Sequence, residues 1–473
     1  MTLKVYWYII RCNYDIYAEV AMKNIFSKLQ QFLESRLHMV IMLALAMLLT
    51  VLSMEQYAIA IFVLWMAFVL VVDPNFTDIL LPIILVNAIA IRTIGQTTYH
   101  VKLLWLAIPV VIAIILHFII FPRRITLGKS FLPLCAVSIA LLVGGIGYIG
   151  KAEYFSVSSL YFTVFLGLGM LFFYVWMRGH MYSTASYDLG ERVLEILYLS
   201  GIFCAFSILE KVLPSFLAQG ELVSFGWCND VCEIMIFALP IPFFFARRRF
   251  IHFFVPFLLY LAMVPAKSMT AIGVGVLILA CGIVYSFVYC REKRVFIAIF
   301  SVLLIAAGIG FLIYKDLITY ENIVAFLKEE ENGRMWLIRK FWGYFKENPI
   351  LGVGMGYGNS TSNVLDGLWA HNYFFQILGS MGVVGVLAFG YQLFARTRII
   401  LKKSSALRWT LALSYFGIFA ASMIQPGEFA PMPYELLAVM LFVVLEKTEN
   451  GRCPRFSEDA PTVDCINDKE VSL

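Results

Sequence analysis

Apolar runs recur along almost the whole chain, each near the roughly twenty residues that a helix needs to cross the hydrocarbon core of a bilayer, with only short polar punctuation between them. Read in order, they place spans near residues 37 to 54, 57 to 72, 78 to 91, 103 to 121, 130 to 150, 157 to 177, 193 to 210, 231 to 246, 250 to 264, 268 to 290, 295 to 314, 371 to 394, 409 to 425 and 433 to 446. Several are short, and the pairs around Glu55 and Arg248 read as tilted or partly re-entrant, so about 12 to 14 spans are expected. The pattern predicts an all-α, polytopic transmembrane helical bundle. One large extracytoplasmic loop, residues 315 to 370, interrupts it and is expected to contain short helices. Residues 1 to 36 form an N-terminal segment in which KNIFSKLQQFLESRL (23 to 37) is amphipathic and suited to lie along the cytoplasmic membrane surface. That segment shows no compact apolar core followed by a small-residue cleavage site. Residues 37 to 446 then make one transmembrane domain, and residues 447 to 473 a cytoplasmic polar tail.

Composition strengthens this reading. At 61% hydrophobic and 14% charged over 473 residues, the chain has more apolar surface than one water-soluble core can hold, so lipid must serve as solvent. The 36 basic residues, against 31 acidic ones, are scattered through loops. They form no basic stripe with interleaved aromatics, so nucleic acid is not an expected partner. The nine cysteines sit mostly inside apolar runs (Cys135, Cys204, Cys281) without C-x-x-C pairs, which signals neither a disulfide scaffold nor a zinc site. Cys228 and Cys232 read as small packing residues, with pairing in an oxidising compartment as the other option.

Charge then orients the bundle, because cytoplasmic loops collect Lys and Arg. With the N-terminus inside and fourteen spans, the loops on the cytoplasmic side hold 25 basic residues and those on the other side 11. Both termini are therefore expected in the cytoplasm and the 315 to 370 loop outside it.

That loop is where water-facing chemistry is expected. Its segment NGRMWLIRKFWGYFKENP (332 to 349) sets Arg334, Ile338, Phe341 and Phe345 at the i, i+4, i+7, i+11 spacing of one helical face. The predicted helix lies along the outer membrane surface with Arg334 turned inward and Lys340 and Lys346 in water, and Pro349 ends it. GVGMGYG (352 to 358) follows. It precedes no Walker lysine and faces away from cytosolic nucleotide, so nucleotide binding is discarded there.

Next comes AHNYFFQILGSMGVVGVLAF (370 to 389), where His371 opens a span whose remaining body is apolar. The ordered string from Gly333 to Phe389, with G-R, N-P-I-L-G-V-G-M-G-Y-G, H-N and G-S-M-G-V-V-G, resembles the characteristic stretch of the O-antigen ligase and polymerase family. It covers about 57 of the 473 residues. FGWCNDVCEIMIFALP (225 to 240) looks like that family's loop-to-helix segment. AKSMTA (266 to 271) sits where many members carry a Ser-Arg or Ser-Lys element, although here Lys267 precedes Ser268 and no arginine is present.

The resemblance implies an inverting, metal-independent glycosyl transfer without cofactor, from an undecaprenyl-diphosphate-linked glycan to an acceptor sugar hydroxyl, in the inner membrane of a bacterium with the active site facing outward. The expected partners are that donor, a glycan or glycolipid acceptor, membrane lipids and polysaccharide-assembly proteins. The residues fit the chemistry on their own terms. Attack on an anomeric carbon needs a base, and imidazole, with a pKa near 6.5, suits neutral pH; a helix N-terminus beside His371 favours its neutral form. A departing diphosphate needs fixed positive charge, which guanidinium supplies through paired donors. His371 and Arg334 are thus the expected catalytic pair, with Lys267, Lys211 and Asn372 as substrate-binding candidates and no metal ligands.

The plainer readings run alongside. His371 also fits an interfacial cap, as His38, His100, His117, His180 and His252 do, and Arg334 a headgroup-binding arginine. Lys211 fits a snorkelling anchor, Glu428 a solvated residue of the outer loop QPGEFAPMP, and Tyr57, Trp336, Trp342 and Tyr373 interfacial belts. A lipid-linked glycan transporter or flippase predicts midplane charges on several spans and internal repeats; the sequence shows few of the former and no clear repeat. A scaffold in an envelope-assembly complex leaves His371 dispensable. Ligase and polymerase differ only in acceptor, and ligase is the first expectation.

Overall fold

The computed structural model describes residues 26–93, 102–149, 151–219, 227–266, 268–289, 335–357, 370–402, 404–425 and 427–448. These residues are helical with no strand among them, an all-α polytopic bundle as expected. Among the described residues six helices are long and apolar enough to cross a membrane, and a seventh is if the bent pair Phe26–Leu33 (α1) and Arg36–Val51 (α2) counts as one. The other long helices are α3 (Glu55–Val72), Val157–His180 (α7), Leu189–Gln219 (α8), Cys228–Ala246 (α9), α11 (Met269–Tyr289) and Tyr373–Leu401 (α13). The remaining expected spans appear as shorter apolar helices: α4 (Leu80–Arg92), α5 (Ala107–Ile120), α6 (Phe131–Ala140), α10 (Val255–Met263), α14 (Ala406–Ser422) and α15 (Leu436–Lys447). Residues 335–347 form α12, and the expected span near 295 to 314 lies outside the described residues.

Local signals set the boundaries. Ser35 caps α2 by accepting from the His38 amide, and the 66° bend there turns α1 away from the α2 axis. Ser405 caps α14 through the Arg408 amide. Pro240 and Pro242 interrupt α9, because proline cannot donate to the preceding turn. Cys228 and Cys232 are buried on that helix as packing residues.

Polar contacts gather the helix ends into two groups. At one end Arg192 pairs with Asp78 at 3.2 Å, Arg178 with Glu446 at 2.8 Å and Arg248 with Glu191 at 2.5 Å. At the other, Arg92 pairs with Glu210 at 2.9 Å and Glu55 at 3.6 Å and lies over Trp227, while Tyr154 donates to Glu347 at 2.6 Å. Burial raises the Tyr154 hydroxyl above its ordinary pKa, and the Glu347 carboxylate adds to the effect.

Several residues read as surface groups lie inside. His38, His117 and His180 are buried, with His117 Nδ1 2.7 Å from the Leu70 carbonyl and Trp65 donating to His38 at 3.1 Å. They are packing groups of the bundle, not interfacial caps. Tyr373 is buried too, against Phe389, Phe419 and Phe429, and belongs to no interfacial belt.

Candidate active site

The site is built on a break. Tyr373–Leu401 reads as one apolar span, but helical geometry fails at Gly382, whose φ of 59° and ψ of −152° lie where only glycine is at ease. The chain turns back there into two arms, 373–381 and 383–401. The rings of Tyr373 and Phe389 are 6.0 Å apart, although a straight helix would separate residues sixteen apart by roughly 24 Å. A Cβ on Gly385 would stand 3.0 Å from Ile377 of the other arm.

A broken helix leaves amides and carbonyls that lipid cannot satisfy, and the glycine run after α12 supplies their partners. Val353 and Gly354 amides donate to the Gly379 and Ser380 carbonyls at 3.1 and 2.9 Å, ending the first arm. Val383 and Val384 amides, opening the second arm, donate to the Pro349 and Ile350 carbonyls at 2.9 and 3.2 Å. This contact is backbone on backbone, which explains the glycines: a Cβ on Gly352 would meet Ser380 at 2.3 Å, and one on Gly382 would meet two carbonyl oxygens at 2.5 Å. The run is a splint for the bend: the Val353, Gly354 and Met355 amides donate to peptide carbonyls, and the Gly356 amide to the Ser159 hydroxyl at 2.9 Å.

The first arm begins at the His-Asn pair. Asn372 is its N-cap, accepting from the Phe375 amide at 3.2 Å, and its amide nitrogen donates to the Met423 carbonyl at 3.2 Å. Both ends of the Asn372 side chain are therefore engaged within the protein. His371, half-buried, has a φ of 48°, the left-handed conformation; the Gln376 oxygen holds the preceding Ala370 amide at 2.7 Å. His371 Nδ1 lies 3.2 Å from the Gln425 side-chain oxygen. The imidazole stands just outside the N-terminus of the arm, the position the sequence suggested.

Beside the arms lies a buried ionic cluster. Arg396, on the second arm, pairs with Glu428 at 3.2 Å and with Glu435, and its guanidinium donates to the Tyr415 hydroxyl at 3.3 Å. Gln392 adds a bond to Glu435 at 3.2 Å. Arg396, Glu428 and Glu435 are all buried, since charges taken out of water persist only when paired. Two readings are corrected: the span expected to end near residue 394 continues to Leu401, which puts Arg396 inside the bundle; and Glu428 is not solvated.

The other candidates separate. Lys211 is exposed near the end of α8, next to the Glu210 that pairs with Arg92, and α8 packs on α2, α4, α9 and α10. Arg334 and Lys267 lie outside the described residues. The helix that Arg334 precedes, α12, docks on the first arm: Phe341 is buried, and a Cβ on Gly379 would meet its carbonyl at 2.8 Å. Of the expected face, Phe341 turns inward with Ile338 and Phe345 half-buried, while Trp336 and Trp342 are exposed with Lys340 and Lys346 over their rings. Ser268 begins α11, its hydroxyl accepting from the Ala271 amide at 3.4 Å.

Gln425, Glu435 and Arg396 were not singled out from the sequence. Arg396 and Gln392 one helical turn apart in an apolar stretch were the available signal, since a charge there must find an internal partner. Gln425 gave none.

No curated protein matches the chain. Residues 253–390 match the family model described as O-Antigen ligase. The matched segment holds Lys267, Arg334, the glycine splint, the His-Asn pair and the bend, and ends before Arg396 and Gln425. Over that segment, under a third of its length, the chain is similar to the O-antigen ligase family, within a helical protein that has six described helices long and apolar enough to cross a membrane.

Proposed function

We propose that the protein is a ligase-type membrane glycosyltransferase, moving a glycan from undecaprenyl diphosphate to a sugar hydroxyl of an acceptor on the outer face of the inner membrane. The observation that carries this reading is the docking of α12 on the first arm at Phe341 and Gly379. That packing joins the element following Arg334 to the element following His371, two groups otherwise 37 residues apart in sequence.

In this reading His371 takes the acceptor hydroxyl's proton as oxygen attacks the anomeric carbon from the face opposite the diphosphate. The configuration inverts, and the lipid diphosphate leaves with the bonding electrons. Arg334 meets the negative charge that develops on the diphosphate, where preorganised donors count most. Asn372 fixes the backbone that carries His371, with its substrate contact secondary to that task; Lys267 and Lys211 add positive charge to the outer face. No step calls for a metal ion.

Polymerase is the second reading, because it shares donor and chemistry. Deleting the gene separates them: a ligase leaves full-length polymer unattached to acceptor, and a polymerase leaves single repeats on the lipid. Normal, fully attached glycan in the deletion strain would reject both. Movement of lipid-linked glycan across vesicles by the purified protein without bond formation would favour the flippase.

A further inference from the structure

Beyond the family segment, one side chain bears on how His371 works. Gln425 lies in the turn between α14 and the buried Glu428, and its side-chain oxygen is 3.2 Å from His371 Nδ1. An amide oxygen only accepts, so this contact is a hydrogen bond when Nδ1 carries the hydrogen, which puts the basic lone pair of the neutral ring on Nε2. We propose that Gln425 is a positioning residue of the transfer reaction, holding His371 in the Nδ1–H tautomer so that Nε2 receives the acceptor's proton. The proposal rests on His371 being the base.

The turn that presents Gln425 is held on several sides. Its own amide donates to the Ala421 carbonyl at 2.8 Å, Asn372 donates to the Met423 carbonyl, and the Glu428 amide donates to the Ser422 hydroxyl at 3.0 Å. Glu428 in turn is gripped by Arg396 of the second arm. One splinted bend thus fixes both halves of the pair: the first arm begins beside His371, and the second arm anchors the turn bearing Gln425. A partner that selects the tautomer of a working imidazole affects rate more than binding, as acid partners of catalytic histidines do. A glutamine in that place orients the ring without adding charge, so the imidazole is not driven to imidazolium.

Among the described residues, the charged and titratable groups around Tyr373, two residues after His371, are Arg396 on the second arm, Tyr415 on α14, and Glu428 and Glu435 on the 427–435 segment. Arg396 is engaged by both carboxylates, so a carboxylate placed at position 425 would act on His371 directly.

The test uses full-length protein in nanodiscs, with lipid-linked glycan extracted from a gene-deletion strain as donor and membranes of that strain as acceptor. Gln425→Leu is expected to lower kcat roughly 10- to 100-fold, the range seen when the partner orienting a metal-bound imidazole is removed, with KM for donor changed less than twofold. Gln425→Glu, whose carboxylate oxygen can accept from Nδ1–H as the amide oxygen does, is expected to keep activity at high pH while the acid limb of the pH–rate profile moves up by about one unit or more, because the new carboxylate favours imidazolium. The pH dependence of His371 acylation by diethyl pyrocarbonate, read by mass spectrometry, is expected to move with it. Wild-type kcat in Gln425→Leu, or an unmoved acid limb and acylation profile in Gln425→Glu, would overturn the inference. The two readings fail separately: wild-type turnover in His371→Ala removes His371 as base, whereas an inactive His371→Ala beside an unaffected Gln425→Leu removes only the role of Gln425.

Discussion

Tyr373 and Phe389 hold their rings 6.0 Å apart across sixteen residues of one apolar stretch, because the chain reverses at Gly382 between them. The reversal needs a positive φ and leaves no room for a Cβ against the Pro349 and Ile350 carbonyls. Gly382→Ala is therefore expected to cost about 1–3 kcal/mol from backbone strain alone, read as a lower thermal midpoint in detergent. Activity should fall with it, since the first arm starts beside His371. A Gly382→Ala protein with the midpoint of wild type would show that the helix does not turn there.

Arg396 serves two buried carboxylates, so its loss strands more charge than the loss of either partner. Arg396→Met should destabilise by about 3–5 kcal/mol, the usual cost of leaving buried charge unpaired. Glu428→Gln should cost less, because Glu435 remains on the guanidinium. Comparison of thermal midpoints checks the order, and an equal or reversed ranking would contradict the cluster.

A pH effect is expected at the opposite end of the bundle. Burial, with the Asp78 charge second, pushes the Asp73 carboxyl up to about 8 from its ordinary 3.8. Between those values the folded protein keeps a proton that the unfolded chain has released. Its contribution to stability is full below about pH 4 and is lost as pH rises toward 8. The wild-type midpoint should decline over that window, and Asp73→Asn should flatten the decline. Parallel curves for the two proteins would contradict it.

How much of this was legible in the sequence follows from what each feature depends on. Helices could be read because lipid forces backbone groups to pair within their own segment, so apolar length alone identifies them. The His-Asn pair could be read because an N-cap is local to four residues. The bend could not: GSMGVVG reads as ordinary apolar helix, and the backbone groups that stabilise its break come from Pro349 to Gly354, some thirty residues earlier. Glu428 was read as solvated because its partner lies 32 residues away on an element taken to end before Arg396. His117 and His180 lie inside for the same reason, since His117 meets the Leu70 carbonyl of α3 and His180 meets the Phe121 carbonyl just past α5 as well as Trp176 on its own helix.

Arg334 is expected to meet the diphosphate through two donors, a geometry that lysine matches only in charge. Arg334→Lys should keep part of the transfer rate and Arg334→Ala should lose most of it, with a chelator leaving wild-type activity unchanged. Equal rates for both variants and wild type would remove Arg334 from the site, and abolition by chelator would point to a carboxylate-held metal.

The measurement that bears most directly on the proposed chemistry is glycan transfer by purified His371→Ala in nanodiscs, with lipid-diphosphate donor and acceptor membranes supplied. His371 lies at the start of an arm whose bend is splinted elsewhere and whose N-cap is Asn372, so the variant should fold with a thermal midpoint near wild type. Removing a general base should then lower turnover roughly 10²- to 10⁴-fold. A folded His371→Ala that transfers glycan at the wild-type rate would contradict the mechanism.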